Sequence, residues 1–389
     1  MGGVGGVTGV LGQPWRADVS EWGGIEPWDG TAGSRLDWHV AADDRWHTPA
    51  TEVAVRQHRL LGAPVYETRL RVPGGDAVQR VWSVPDDGGL TCVEVTNDSP
   101  LPIACAFTRA DLLTARPPTT VPIEGIDLPA ASTTLLPIGH RSSVTVALGH
   151  AAPSPGRLPD RLADAAAVAR GWVAMAERAS RLDLPEAALG ERVVAARCDL
   201  LLTGLVDPND DPVTYLVGVG ELVRMGELTD EGLAALVPAV ALAAEAVASR
   251  QGWEAGAALD GAAVALSAAG ERRALADLAR ITAGRTDSPP SGESRDGLLA
   301  VVAVEGRLVR NGVLFPDGIP ASWRGANLEA HGLRAGPSTT LSFAVRWHGE
   351  HPAVLWEQTG DAVELTAPAV DPTWRTTAKS GEALWRTPR

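Results

Sequence analysis

The sequence predicts a multidomain β, then α, then β architecture. An N-terminal antiparallel β-sandwich precedes central α-helical hairpins and a small C-terminal β module. Three observations carry this. Apolar and polar residues alternate over short runs between about 51 and 148, the period turns helical after the Pro-rich stretch Pro153–Pro159, and alternation returns beyond about 297. The expected boundaries are 1–152 for a Trp-rich segment with the sandwich, 158–284 for the helical domain, 285–296 for a linker and 297–389 for the β module. A chain of 389 residues is long enough for two or three cores.

Residues 1–50 are rich in Gly, Trp and acids, with few long apolar runs. Strands are predicted at Thr51–Gln57, Val65–Val72, Ala77–Pro85, Leu90–Thr96, Ile103–Thr108, Thr133–Pro137 and Ser142–Leu148, punctuated by Gly, Pro, Asn and Asp turns. Asn97-Asp98-Ser99-Pro100 reads as the turn of a strand–turn–strand, which could set Cys92 and Cys105 face to face. Six helices are expected, near 159–180, 185–203, 212–226, 229–249, 254–269 and 271–284. Asp183-Leu184-Pro185-Glu186 and Thr229-Asp230-Glu231 are start signals. Met225-Gly226-Glu227 and Ala269-Gly270-Glu271 each join two helices, which suggests repeated α-hairpins. Thr286–Ser294 has linker composition. Beyond it, strands are predicted at Leu298–Glu305, Arg307–Val313, Thr339–Trp347, Ala353–Glu357 and Ala362–Thr366.

A net charge of −14 argues against nucleic acid or an anionic membrane surface as partner, because both select a basic footprint. No run approaches the ~18 apolar residues of a membrane span. The N-terminus lacks a basic leader pattern and the three cysteines are widely spread, so a reducing, cytoplasmic location is expected. Lys379 is the only lysine, a bias that suggests a GC-rich coding sequence and accounts for some of the tryptophan excess.

Five tryptophans, Trp15, Trp22, Trp28, Trp38 and Trp46, fall within the first fifty residues, among Asp18, Glu21, Glu26, Asp29, Asp37, Asp43 and Asp44. Indole rings cover the CH face of a sugar and carboxylates accept from its hydroxyls. Trp22, Trp38, Trp46 and Glu21 are therefore candidate sugar-binding residues, with a sandwich-edge packing role as the alternative. Asp43 and Asp44 are candidate catalytic acids, although a glycosidase pair must stand ~5–5.5 or ~6.5–9.5 Å apart, which adjacency does not supply. An Arg-paired loop is the competing reading of Asp43–His47. In the helices, Glu221 and Glu254 are further acid candidates beside Asp210, Asp211 and Glu227, with Glu254 also suited to a helix start. His348 and His351 flank a predicted hairpin turn near Gly349-Glu350, too few ligands for a zinc site. With no P-loop, Rossmann fingerprint or nucleophile elbow, neither cofactor nor metal is expected.

The order of regions resembles the glucoamylase and glycoside phosphorylase type of enzymes. Three stretches carry the similarity: Leu90–Thr108 resembles their sandwich strands, Ala169–Leu189 their passage into an (α/α) toroid, and Leu314–Glu357 their C-terminal β module. The resemblance implies a glycan or oligosaccharide partner. Six helices are half of what a closed toroid uses, which implies a shortened toroid as an open arc or small bundle. No catalytic residue is carried over by position. Three functions stay open: a glycan-binding, glycoside hydrolase-like protein without activity, an active glycosidase with an unrecognised carboxylate pair, and a structural or interaction protein using its helical surface.

Overall fold

The computed structural model describes residues 5–28, 35–119, 123–151, 156–283, 297–336 and 338–386. The expected linker 285–296 and Asp29 lie outside the described residues. The architecture is β, then α, then β. The chain forms two compact units, Met1–Val173 and Ala174–Arg389.

In the first unit, Val55–Arg59, Tyr66–Val72, Gly75–Val84, Leu90–Asn97 and Ser143–Gly149 form neighbouring antiparallel strands of the largest sheet. Thr134–Ile138, Ile103–Phe107, Trp38–Ala41 and Trp46–His47 make a second, and Gly6–Gly9, Arg16–Val19 and Ile25–Pro27 a third. Val81, Val93, Val95 and Val146 of the first sheet share a core with Trp38, Cys105, Phe107 and Leu136 of the second. This is the expected sandwich.

Leu90–Thr108 is not a hairpin within one sheet. Leu90–Asn97 pairs with Gly75–Val84 and Ser143–Gly149, whereas Ile103–Phe107 pairs with Thr134–Ile138 and Trp38–Ala41. The Asn97 turn carries the chain from sheet to sheet. Asn97 Oδ1 accepts from the Ser99 N–H at 2.9 Å, and Nδ2 donates to the Leu101 carbonyl at 2.8 Å, an Asx-type turn. Alternation reports which face is buried, not which sheet a strand joins. Cys92 and Cys105 consequently lie on strands of different sheets, and all three cysteines are buried thiols outside any disulfide.

Seven helices occur among the described residues: α1 (Ala165–Ala176), α2 (Ala187–Thr203), α3 (Pro212–Met225), α4 (Asp230–Ala248), α5 (Trp253–Ala268), α6 (Arg272–Thr282) and α7 (Leu298–Leu308). Their ends follow local chemistry. The Asp211 carboxylate caps α3 by accepting from the Thr214 N–H, with Pro212 in the first turn, and the Thr229 hydroxyl caps α4 through the Gly232 N–H. Gly226 at φ +71° and Gly270 at φ +74° close α3 and α5. The next residues, Glu227 and Glu271, donate back to Leu222 and Leu266. Asp183 is not the cap of α2; it belongs to a strand, Arg181–Asp183, and Glu186 precedes the helix.

The largest correction is α7, where Leu298–Glu305 reads as a strand by sequence. Its first seven residues, Leu298–Val304, are apolar and partly β-branched, a pattern shared by buried strands and buried helices. In the structure Val301, Val304 and Leu308 form one buried helical stripe.

Two sheets complete the second unit. Arg181–Asp183, Leu328–Gly336, Thr339–His348, His351–Gly360 and Ser380–Leu384 form one, and Val309–Arg310, Val313–Leu314, Leu365–Ala367 and Asp371–Thr376 the other. The expected hairpin pairs Thr339 with Gly360 through to His348 with His351 and turns at Gly349, φ +63°. The helices and these strands, read by sequence as separate regions, share a core. Leu189 and Val193 of α2 and Val301 of α7 pack with Phe343, Val345 and Trp385. Phe315 contacts Phe343 and Trp385 edge-on at 5.6 and 6.2 Å. A second core joins α3 to α6 through Leu216, Val240, Leu259 and Leu278.

Among the described elements, α4 alone combines the length and apolar character to cross a membrane, which the sequence reading missed. It packs Leu233, Val240, Ala243 and Val247 into the helical core and carries Asp230, Glu231 and Glu245.

Candidate functional site

Two glycines, Gly220 and Gly261, bring α3 and α5 close together. A Cβ on Gly220 would stand 2.9 Å from the Gly261 Cα, and one on Gly261 only 2.3 Å from the Leu216 carbonyl oxygen. No larger residue fits at this crossing. Each glycine adjoins an acid in sequence, Glu221 after Gly220 and Asp260 before Gly261. Both acids line a cavity of about 650 Å³, together with Arg224, Trp253, Glu305 and Arg334. That volume suits a small ligand.

One wall is a buried tetrad of two arginines and two glutamates. Arg197, with no exposed surface, donates from Nε to Glu221 Oε2 at 2.7 Å and from Nη2 to Glu305 Oε1 at 2.7 Å. Its Nη1 bonds the Ser180 hydroxyl and carbonyl at 2.9 and 3.1 Å. Arg224 Nη1 bonds Glu221 Oε1 at 2.5 Å and pairs with Glu305 Oε2 at 2.9 Å. The Ser180 hydroxyl donates to Glu305 Oε1 at 2.5 Å. Every carboxylate oxygen is therefore matched, the condition under which buried ions are tolerated. Burial alone would raise the Glu305 carboxyl, but the charges of Arg224 and Arg197 and their hydrogen bonds hold it at about 2. It is ionised at neutral pH and cannot serve as a general acid.

Asp260 differs. Its carboxylate makes no hydrogen bond or ion pair with the described residues. Its side chain is exposed into the cavity, where desolvation by the surrounding walls raises its carboxyl from the ordinary value against the opposing charge of Arg334. Arg334 donates from Nη1 to the Asp260 main-chain carbonyl at 3.0 Å, and its Nε is buried without an acceptor.

Of the sequence candidates, Glu221 lies in this cavity wall as a tetrad member. Glu254, in the first turn of α5, is not among the lining residues, although its neighbour Trp253 is. The N-terminal candidates all lie in the first unit. Trp38 is buried in the sandwich core, and its Nε1 donates to the Trp22 carbonyl at 2.8 Å. Trp22 is half-buried, with the Arg35 guanidinium 5.3 Å from its ring centre. Trp46 is half-buried and donates to the Glu124 carbonyl at 2.7 Å. Trp15 is buried and stacks on His150 at 4.2 Å. Glu21 and Asp43 are exposed.

Asp44 belongs to a surface network. His47 bonds Asp44 at 2.9 Å and Glu52 at 3.2 Å, and Arg45 bonds Glu52 at 2.6 Å. The hydrogen bond from His47 is the main cause of an Asp44 carboxyl held below its ordinary value. His348 and His351 are exposed partners across the hairpin turn. No cluster of three metal-ligating side chains occurs among the described residues.

Sequence reasoning missed Arg197, Arg224, Asp260, Glu305 and Arg334. The available signal was a charge set in an apolar helical stripe: Arg197 between Val194 and Leu201, and Glu305 four residues after Val301. No protein-family model matches this chain. No curated protein matches it either.

Proposed function

We propose that the chain recognises a carbohydrate, bound in the cavity between α3, α5, α7 and strand Leu328–Gly336 of the second unit. The observation that carries this reading is the composition of that cavity. Within about 650 Å³, Trp253 and apolar helix faces adjoin the unpaired Asp260 carboxyl and the underused donors of Arg334. A sugar needs this combination, an apolar surface for its CH face and acceptors and donors for its hydroxyls. Glu221 and Glu305 are committed to ion pairs, so Asp260 lacks the second free carboxylate that glycoside hydrolysis uses. This favours recognition without cleavage. The three buried thiols, none in a disulfide, fit a reducing compartment.

Calorimetric titration of the whole protein with a panel of mono- and disaccharides tests the reading. At least one should bind, Trp253→Ala and Asp260→Asn should weaken it at least tenfold, and no hydrolysis product should form. If binding instead survives both changes and is lost in Trp22→Ala and Trp46→Ala, the site belongs in the first unit. Absence of any sugar binding at millimolar concentration refutes the reading.

A second reading, a protein-docking role for the helical surface, is favoured by α4. Its outward residues Ala235, Pro238, Leu242 and Ala246 are exposed, Leu242 at 62%. Under that reading Leu242→Arg abolishes capture of a partner without changing sugar binding.

A further inference from the structure

Resting on the carbohydrate reading of this cavity, we propose that its ligand is a sugar acid whose carboxylate is held by Arg334, with Arg310 and Arg272 supplying further positive charge. The ionisable side chains lining the cavity are Glu221, Asp260 and Glu305 against Arg224, Arg272, Arg310 and Arg334. Glu221 and Glu305 are neutralised by Arg197 and Arg224 within the tetrad. What remains among the lining side chains is one carboxylate, Asp260, and three guanidinium groups, of which Arg334 acts on Asp260. A cationic surplus is unexpected by composition in a chain of net charge −14.

The three arginines also lack close anionic partners among the described residues. Arg334 spends Nη1 on a main-chain carbonyl. Its Nε is buried without an acceptor, and its Nη2 makes no hydrogen bond with the described residues. Nη2 is therefore the guanidinium donor left for a ligand carboxylate oxygen, a charge-assisted hydrogen bond. Arg310 donates to the Gly306 carbonyl at 3.3 Å, its nearest carboxylate oxygen, on Asp317, is 3.9 Å away, and its Nε is likewise without an acceptor. Arg272, at the start of α6, is exposed and makes no ion pair with the described residues. Burial depresses the guanidinium pKa of Arg334, with Arg224 acting the same way and Asp260, Glu305 and Glu221 only partly offsetting it, and burial depresses that of Arg310 against Asp317. A bound anion offsets that desolvation. Asp260 then accepts from sugar hydroxyls on the same ligand.

Titration calorimetry with the full chain at low salt tests this, using glucuronate, glucose, glucose 6-phosphate and acetate as probes. Glucuronate should bind at least tenfold more tightly than glucose, and that preference should fall as sodium chloride is raised. Arg334→Lys keeps the charge but loses the planar guanidinium with its Nη2 donor, and should cut the preference about fivefold. Arg334→Gln should remove most of it. If Arg334→Gln does not fold, by circular dichroism, Arg272→Ala provides the readout, with a smaller loss of the glucuronate preference. Equal binding of glucose and glucuronate overturns the sugar-acid assignment and leaves the carbohydrate reading standing. Acetate binding as tightly as glucuronate removes the sugar from both. Glucose 6-phosphate binding best overturns the carboxylate, and binding of no probe sugar overturns inference and reading together.

Discussion

Glu305→Gln is the sharpest test of how the cavity wall is held. The change keeps side-chain volume and removes one of the two anions that face Arg197 and Arg224, side chains with 0% and 11% exposure. Stripping one partner from a buried ion pair costs about 3–5 kcal/mol. Glutamine keeps one acceptor for Ser180 or Arg197, so the lower end applies. The same pairing holds the Glu305 carboxyl well below its ordinary value, through the charges of Arg224 and Arg197 and the hydrogen bonds of Arg224 and Ser180.

Because the folded value lies below the unfolded one, that stabilisation is complete above the ordinary carboxylate range and is lost as pH falls toward 2. Helices α2 to α7 all lie in the second unit, so far-ultraviolet circular dichroism during urea unfolding reports mainly on it. With a slope of about 3 kcal/mol/M, the variant's midpoint at pH 7 should fall by about 1 M. The gap between variant and wild type should narrow sharply between pH 5 and pH 2.5. A midpoint unchanged at pH 7, or a gap as wide at pH 2.5 as at pH 7, would falsify the claim that a charged Glu305 stabilises the tetrad.

Other outcomes follow from the same geometry. Gly261→Ala drives a Cβ against the Leu216 carbonyl, so α3 and α5 must separate; a loss of about 1–3 kcal/mol is expected by thermal unfolding, with weakened ligand binding. A variant of wild-type stability would mean that the helix crossing has slack. Asp260→Asn should stabilise the protein at pH 7 and not at pH 3, because enclosure raises this carboxyl and so disfavours its charged form above its unfolded pKa; equal stability at both pH values counts against that assignment. The thiols should resist a water-soluble disulfide reagent at pH 8 until urea is added, since all three are buried and desolvation, aided by the charge of Asp86, pushes Cys92 up to about 12. Rapid labelling of the native protein would contradict the burial.

What was legible in the sequence was whatever neighbouring residues decide. Thr229 starts a helix because capping needs only the next three residues, and Gly226 and Gly270 end helices because a left-handed φ needs only itself, whereas Asp183, read by the same capping rule, is drawn into a strand by its pairing with distant Glu329. Sandwich strands such as Tyr66–Val72 were readable because one buried face imposes a period of two. Leu298–Leu308 failed that test: its β-branched run is buried enough to blur strand and helix, and only the packing of Val301 and Leu308 against distant strands decides. The cavity was illegible for a deeper reason. Its wall draws on Ser180, Arg197, Glu221, Arg224, Glu305 and Arg334, spread over α2, α3, α7 and two chain segments beyond them, and no local spacing links these positions. Glu221 was singled out as an isolated acid, when its neighbour Gly220 held the more telling information. A glycine inside a helix destabilises it unless something approaches too closely for a Cβ. Gly220 and Gly261 meet that condition through each other. The pair Gly220-Glu221 and Asp260-Gly261 therefore marks where two helices touch and where two acids are delivered to one cavity. That conclusion becomes available only when the two helices are known to cross there.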